Sequence, residues 1–256
     1  MPITANTLYR DSFNFFKNQL LSTLTLAVLA ALVTTLLGHL FIPDSEQMKL
    51  LTEAEFTFAT SGKAGIQELV SQMTPEQQSM IMRAGIGTIF SSMIGSVLLV
   101  GGVLTLVAAV SAGNRISSLQ AIGLSASQLP KLFLLLLICT LLIQLGLMLM
   151  LVPGIILSIA LALSPVIMTA ERCGVFAAIK ISWKLAFANI RLLVPAILLW
   201  LTARLLLVFI IDRLTFIHSE MAGIILGVFN NLISAILLIY LFRLYMLVAS
   251  SQQKSI

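Results

Sequence analysis

Six apolar runs, each about as long as a bilayer is thick, constrain this chain more than any other feature of its sequence. They cover residues 19–42, 84–110, 132–150, 155–170, 192–211 and 222–248. A membrane-spanning helix needs roughly 20 mostly apolar residues. With 59% hydrophobic and only 10% charged residues, the chain is too apolar for a soluble domain, which carries roughly 25% charged residues. The sequence predicts an all-α fold, a six-span transmembrane helical bundle that forms one polytopic membrane domain over residues 1–256.

The polar stretch 43–83 is the only sizeable segment between these runs. Asp44 with Gln47, and Thr74 with Gln77, have the reciprocal spacing of helix starts. The stretch has too few bulky apolar residues for a core of its own. We therefore expect an outer helical loop that rests on the membrane domain.

The basic residues are distributed unevenly between the connecting segments. If both termini lie inside, the inner segments carry ten basic and two acidic residues, and the outer segments carry four basic and eight acidic residues. The ten are Arg10, Lys17, Arg115, Lys131, Arg172, Lys180, Lys184, Arg191, Arg243 and Lys254. Because positive charge is retained on the cytoplasmic side, the sequence predicts a bacterial inner-membrane protein with cytoplasmic N- and C-termini.

The segment VFAAIKISWKLAFANIR at 175–191 is basic and amphipathic. At 100° per residue one face carries Phe176, Ile179, Trp183 and Phe187, and another gathers Lys180, Lys184 and Arg191. Such a helix beside a span is typical of the headgroup plane. We expect an amphipathic in-plane helix on the cytoplasmic face, with Lys180, Lys184, Arg191 and Trp183 as headgroup contacts. This position requires that residues 175–189 and the fifth span do not form one straight helix.

Two other segments resemble this one. Residues 4–18 form a predicted surface helix with Leu8, Phe15 and Phe16 as apolar anchors, and aligning Asn18 with Asn189 places Leu8 on Ile179. In the linker 111–131, Ala121 aligns with Ala178 and Ser125 with Ser182. The pattern indicates a threefold repeat of surface helix and span pair, although any inner-membrane loop tends to have this composition.

The chain resembles a known family in the segments YRDSFNFFKNQ, SPVIMTAERCGVFAAIKISWKLAFANIRLLVPA and NNLISAILLIYLFRLYML. These are similar to the YciC family of uncharacterised multi-pass bacterial inner-membrane proteins, over essentially the whole chain. The resemblance implies an inner-membrane location and no established activity. ISWKLAFANIRLL is more loosely similar to the membrane region of some glycerophosphodiester phosphodiesterases, but we expect only a short tail after the sixth span and carry no such activity over.

Arg204 lies within the fifth predicted span. A central arginine costs about 2.5 to 3.5 kcal/mol on insertion scales, so the span keeps an incentive to shield its charge. Gln144, Asn230 and Asn231 lie at a similar depth, which makes a candidate polar intramembrane cluster of these four residues. The alternative is that Arg204 extends to the outer interface while the amides make single interhelical hydrogen bonds.

The remaining chemistry-bearing residues form no recognisable site. Cys139 and Cys173 lack metal-ligand spacing, His39 has no ligand-spaced partner, and nucleotide-binding and hydrolase motifs are missing from the sequence. We therefore expect no enzyme, no catalytic or metal residues and no cofactor. Trp183, Tyr240 and Tyr245 suit a cytoplasmic aromatic belt.

These observations favour a structural or envelope-maintenance protein of unknown biochemical function. The alternative function is a small transporter, channel or lipid-translocating protein that uses the cluster around Arg204. The expected partners are the phospholipid bilayer and its anionic headgroups, and not nucleic acid; a membrane protein partner or a homo-oligomer stays open.

Overall fold

The computed structural model of the protein describes residues 5–41, 74–212 and 219–253. Within these ranges the regular elements are ten α-helices and no strand. They are α1 (Ala5–Asn18), α2 (Leu20–His39), α3 (Pro75–Ser111), α4 (Ser118–Ser125), α5 (Leu129–Leu149), α6 (Leu151–Leu161), α7 (Ser164–Glu171), α8 (Val175–Ala188), α9 (Ile190–Asp212) and α10 (Ser219–Gln253). The all-α prediction is confirmed.

Six stretches of described helix are long and apolar enough to cross a membrane. They are Leu20–His39, Pro75–Ser111, Leu129–Leu149, Leu151–Glu171, Ile190–Ile210 and Gly223–Ser250. Each overlaps one of the six apolar runs that the sequence predicts as spans. The fourth candidate combines α6 and α7, which separate just before Pro165, at the first turn of α7. A proline at this position fits a new helix start but not a helix interior.

The connection between α5 and α6 differs from its prediction. The third and fourth apolar runs end at 150 and begin at 155, which predicts a turn at Pro153 and Gly154, a pair typical of turns. In the structure α5 ends at Leu149, Met150 is extended with ψ of 155°, and α6 already begins at Leu151. Gly154 instead permits close packing, because a Cβ there would lie 2.8 Å from the backbone nitrogen of Leu147. The prediction was wrong because a Pro–Gly pair is tolerated in the first turn of a helix as well as in a turn.

Capping explains two helix starts. Thr74 and Gln77 exchange backbone-to-side-chain hydrogen bonds of 3.0 and 3.3 Å before α3, which confirms that predicted capping box. Ser117 and Gln120 do the same before α4. Each pair satisfies two backbone amides that a helix N-terminus leaves without partners.

The chain divides into two compact units, one of Met1–Leu32 with Gly95–Ile256 and one of Val33–Ile94. In the first, α5 packs on α6, α9 on α10, and α8 on both α6 and α7. The second contains the first turns of α3, and a Cβ at Gly87 would meet the side chain of Phe41 at 2.2 Å. Residues 43–73 of the predicted outer loop, including Asp44 and Gln47, lie outside the described residues.

The helix α1 is anchored differently from its prediction. Leu8 and Phe15 are only 1% and 6% exposed and belong to the protein core, where α1 packs on α10. They therefore anchor α1 to the helix bundle and not to the membrane surface. Periodicity identifies an apolar face, but it does not distinguish lipid from protein as the medium that covers the face.

Three helices, α1, α4 and α8, each precede a pair of candidate spans and share one packing arrangement. We call them the surface helices after their predicted role, although α1 is anchored to the bundle. α1 packs on α10 and α8 on α6. α4 lies against α3, where a Cβ at Gly101 would be 3.2 Å from the Ser125 hydroxyl. Each surface helix and the two spans that follow it form one unit. α4 and α8 each contact the second span of the preceding unit, and α1 contacts α10, the second span of the last unit.

A buried serine occupies the contact face of each surface helix. Ser12, Ser125 and Ser182 are 3%, 2% and 0% exposed. The predicted match of Ser125 with Ser182 agrees with this burial, whereas the first copy fits best with Ser12 on Ser182. That register is shifted by one residue from the predicted alignment of Asn18 with Asn189.

Candidate functional site

Arg204 lies on α9 and contacts both its own helix and α10. Its Nε donates to Oδ1 of Asn230, and its guanidinium carbon lies 4.6 Å from the ring centroid of Trp200. The Trp200 indole N–H donates to the Ser234 hydroxyl at 3.4 Å, and this hydroxyl donates to the backbone carbonyl of Asn230 at 2.9 Å. A cation over a tryptophan face is stabilised by the ring quadrupole. These contacts therefore shield the Arg204 charge and join α9 to α10.

The other two residues of the predicted cluster point elsewhere. Asn231 donates to the Ala27 carbonyl of α2 at 3.1 Å, which is a single interhelical hydrogen bond of the kind that the alternative interpretation expects. Gln144 lies on an exposed face of α5, and no hydrogen bond to Arg204 is formed within the described residues. Of the four predicted residues, the structure brings only Arg204 and Asn230 into contact.

Trp200 and Ser234 complete this arrangement and were not predicted. Trp200 precedes Arg204 by four residues, and Ser234 follows Asn230 by four. Residues four apart lie on the same helix face, so this spacing is the sequence signal that could have identified both.

The helix α8 docks through small side chains and leaves its large ones outside. Ala178, Ser182 and Ala186 are buried, and the Ser182 hydroxyl donates to the Ala160 carbonyl of α6 at 2.6 Å. This hydrogen bond holds the two backbones close together, because a serine is short.

The opposite side of α8 carries the predicted headgroup residues. Trp183 is 43% exposed and packs against Phe187 with ring centroids 5.5 Å apart. Lys180 and Lys184 are exposed, as is Arg191 at the start of α9. The backbone leaves the helical region at Asn189, with φ of −119° and ψ of 26°, so α8 and α9 are separate helices.

A polar pocket of about 290 Å³ lies beside the beginning of α8. Two cations, Lys131 and Arg172, and the polar side chains of Ser127 and Gln128 contribute to its lining. Arg172 ends α7 in a left-handed conformation with φ of 51°, which is uncommon for a residue other than glycine. The pocket therefore brings a cation of α5 close to the cation that follows α7.

A second set of contacts fixes α1. Asp11 and Arg243 form an ion pair at 3.5 Å, and the Tyr9 and Tyr240 rings lie 4.8 Å apart. Burial raises the pKa of the Tyr9 phenol, although its hydrogen bond with Tyr240 acts in the opposite direction. This group therefore stays neutral near physiological pH.

Tyr240 does not belong to an aromatic belt. It is only 3% exposed, and its hydroxyl donates to the Leu192 carbonyl at 2.9 Å. Tyr245 is partly exposed and donates to Glu171 at 2.9 Å. The belt prediction was wrong for Tyr240 because a tyrosine satisfies its hydroxyl equally well against a buried carbonyl.

Comparison with known proteins gives one consistent result. The model of an uncharacterised protein family, UPF0259, matches residues 1–247. A UPF0259 membrane protein of Photorhabdus laumondii is 97% identical over 256 residues, covering 100% of both chains. One of Serratia proteamaculans is 57% identical over 250 residues, covering 98% of this chain and 100% of the relative. One of Yersinia pestis is 56% identical over 247 residues, covering 96% of each.

No solved structure matches the chain. The family match spans the six candidate membrane helices almost entirely. The relatives are named as membrane proteins, in agreement with a mean hydropathy of +1.07. The chain therefore belongs to the UPF0259 family of membrane proteins.

Proposed function

We propose that this membrane protein is a non-enzymatic, structural or envelope-maintenance protein whose surface helix α8 lies in the headgroup plane and binds anionic phospholipid. The observation that carries the proposal is the division of α8 into two sides. Its small residues dock on α6 through Ser182, while Trp183, Lys180 and Lys184 stay exposed. An aromatic ring flanked by cations suits the boundary between hydrocarbon and phosphate.

The proposed location is the bacterial inner membrane, with both termini in the cytoplasm. The excess of basic residues in the segments that carry α1 and α8 supports it. The chain would then act as one polytopic domain, and the YciC resemblance and the UPF0259 membership would describe one family.

The depth of α8 is testable with its tryptophan. The chain contains two tryptophans, so Trp200→Phe leaves Trp183 as the only one. In vesicles containing lipids brominated at defined chain positions, we expect bromines near the headgroup to quench Trp183 best. Stronger quenching by bromines near the chain ends would contradict the in-plane position.

The headgroup preference has its own test. Spin-labelled phosphatidylglycerol and phosphatidylcholine are compared for association with the reconstituted protein. We expect Lys180→Gln with Lys184→Gln to reduce the preference for phosphatidylglycerol several-fold, because each lysine near the surface attracts anionic lipid. The charge-retaining pair Lys180→Arg and Lys184→Arg is the matched control and should keep the preference. An unchanged preference in the glutamine variant would exclude α8 as the site.

A second candidate function, transport or lipid translocation, is favoured by one observation. Arg204 is half-buried and pairs with Asn230, so its charge is retained between two spans. Vesicles with fluorescent phospholipid and a membrane-impermeant quencher measure lipid translocation directly. If wild-type protein translocates lipid and Arg204→Leu abolishes this while still inserting, this function replaces the structural one. Under the leading proposal neither protein changes the translocation rate.

A further inference from the structure

A groove of about 370 Å³ lies between α1, α9 and α10. Tyr9 and Phe13 contribute to its wall from α1, Leu199 and Trp200 from α9, and Leu237 from α10. The volume falls within the range of ligand pockets, roughly 300 to 1,000 Å³. Neither the predicted polar cluster nor the surface of α8 includes it.

The groove offers almost nothing to water. The Ser12 hydroxyl on its wall already donates to the Leu8 carbonyl at 2.8 Å, and the Tyr240 hydroxyl donates to Leu192. An apolar cavity whose polar groups are satisfied stays dry or binds an apolar guest. The natural occupant is therefore hydrocarbon.

The groove is continuous with the lipid-facing surface of the spans. Leu199 is 61% exposed and Phe13 is 50% exposed, and both line it. Since the chain is a membrane protein, this surface contacts acyl chains, and a chain can enter the groove sideways without crossing a polar barrier.

Positive charge lies beside the groove on α1, and within the described residues neither Lys17 nor Arg10 forms an ion pair. The Lys17 ammonium lies 4.8 Å from the ring centroid of Phe13, on the α1 rim, and Arg10 is exposed on the same helix. The one acidic residue of α1, Asp11, is already paired with Arg243. This rim is complementary to a phosphate.

Trp200 contributes to the groove wall, whereas Arg204 is not among the lining residues. The Arg204 guanidinium carbon lies 4.6 Å from the centroid of the Trp200 ring. An acyl chain in the groove would therefore contact the indole ring and not the guanidinium.

We propose that this groove binds one phospholipid of the leaflet next to α1, with one acyl chain between α9 and α10 and its phosphate at Lys17. The site is distinct from the basic surface of α8 and does not depend on the function proposed for that surface. Lipid bound here also joins α1 to the spans, because α1 forms part of the groove wall.

The test uses the full-length protein, purified with added phosphatidylglycerol and progressively delipidated. Native mass spectrometry then counts the phospholipid molecules that remain on each chain. We expect wild-type protein to retain one phospholipid after the others are removed. Leu199→Trp fills the groove and should lower the occupancy of this lipid at least tenfold, and Lys17→Gln should lower it several-fold.

Leu198→Trp is the matched control, because Leu198 is 55% exposed on the same helix but does not line the groove. It should retain the lipid as wild type does. Ala203→Leu fills the groove from a second position and guards against a folding defect specific to Leu199→Trp. Circular dichroism verifies that each variant is folded.

Three results would overturn the proposal. They are a wild-type protein without retained phospholipid, equal retention in Leu199→Trp and Leu198→Trp, or unchanged retention in Lys17→Gln. If the wild-type protein retains no phospholipid and is a dimer, the occupant of the groove is a second copy of the chain. Variants of Lys180 and Lys184 should leave the retained lipid in place, so this test and that of the α8 surface fail separately.

Discussion

At the scale of single residues, Arg204 and Asn230 form the interaction with the clearest energetic consequence. A hydrogen bond to a charged group contributes about 1.5 to 3 kcal/mol, and removing one partner costs more than removing both. We expect Asn230→Leu to lower the thermal unfolding temperature in detergent, and Arg204→Leu with Asn230→Leu to recover part of the loss. Gln144→Leu, on an exposed face of α5, should be nearly silent. If the double variant is less stable than Asn230→Leu, the guanidinium contributes through other contacts.

Cys173 provides a prediction about pH. Burial raises the pKa of its thiol, and the nearby Glu171 carboxylate raises it further. Since the thiolate is the nucleophile, alkylation should be slow at neutral pH and accelerate as the pH approaches the raised pKa. Glu171→Gln removes the negative charge, lowers the pKa and should accelerate alkylation at pH 8. The measurement is the alkylation rate against pH by mass spectrometry; equal rates at pH 8 in both proteins would contradict a role for Glu171.

At the scale of elements, the sequence predicted which segments are helices better than it predicted their contacts. Each apolar run required a helix, because a backbone in lipid must satisfy its own hydrogen bonds. The partners of Leu8 and Tyr240 were not predictable, because a protein core and lipid tails are similarly apolar. The contact of Arg204 with Asn230 was predicted from depth alone, whereas the directions of Gln144 and Asn231 depend on helix rotation, which depth does not determine.

The hairpin of α5 and α6 gives a sharper element-scale prediction. A Cβ at Gly154 would lie 2.4 Å from Leu147 Cδ2 and 2.8 Å from its backbone nitrogen, so the backbone itself must move. Overpacking of this kind costs about 1 to 3 kcal/mol. We expect Gly154→Ala to lower the thermal unfolding temperature clearly. Gly223→Ala is the matched control, because nothing lies within 4 Å of its added Cβ; equal effects would show that helix propensity, and not the close approach, determines the result.

At the scale of the whole molecule, the three surface helices link the spans in a cycle. α1 contacts α10, α4 contacts α3 and α8 contacts α6, so each helix–span–span unit is held by its neighbour. The sequence indicated this repeat through Ala121 and Ser125, which align with Ala178 and Ser182. It could not reveal the cycle, because alignment identifies equivalent positions but not the helix that each position touches.

The cycle predicts that a destabilising substitution in one surface helix also lowers the stability of the others. Ser12, Ser125 and Ser182 are all buried, but only Ser182 donates to a different helix; Ser12 and Ser125 donate to carbonyls of their own helices. Substitution by valine should therefore destabilise at all three positions through overpacking, and most at Ser182, where a hydrogen bond between helices is lost as well. Ser127→Val, at an exposed position, is the control.

Ser125→Val distinguishes a cooperative cycle from independent helices. Both tryptophans, Trp183 and Trp200, lie on α8 and α9, whereas Ser125 lies on α4 and contacts α3. If the units unfold together, Ser125→Val should shift the tryptophan fluorescence transition and the circular dichroism transition by the same number of degrees, because coincident transitions indicate a single cooperative event. A fluorescence transition that stays at the wild-type temperature while the circular dichroism transition falls would show that α8 and α9 are stable without α4, and the cycle would then have no energetic meaning.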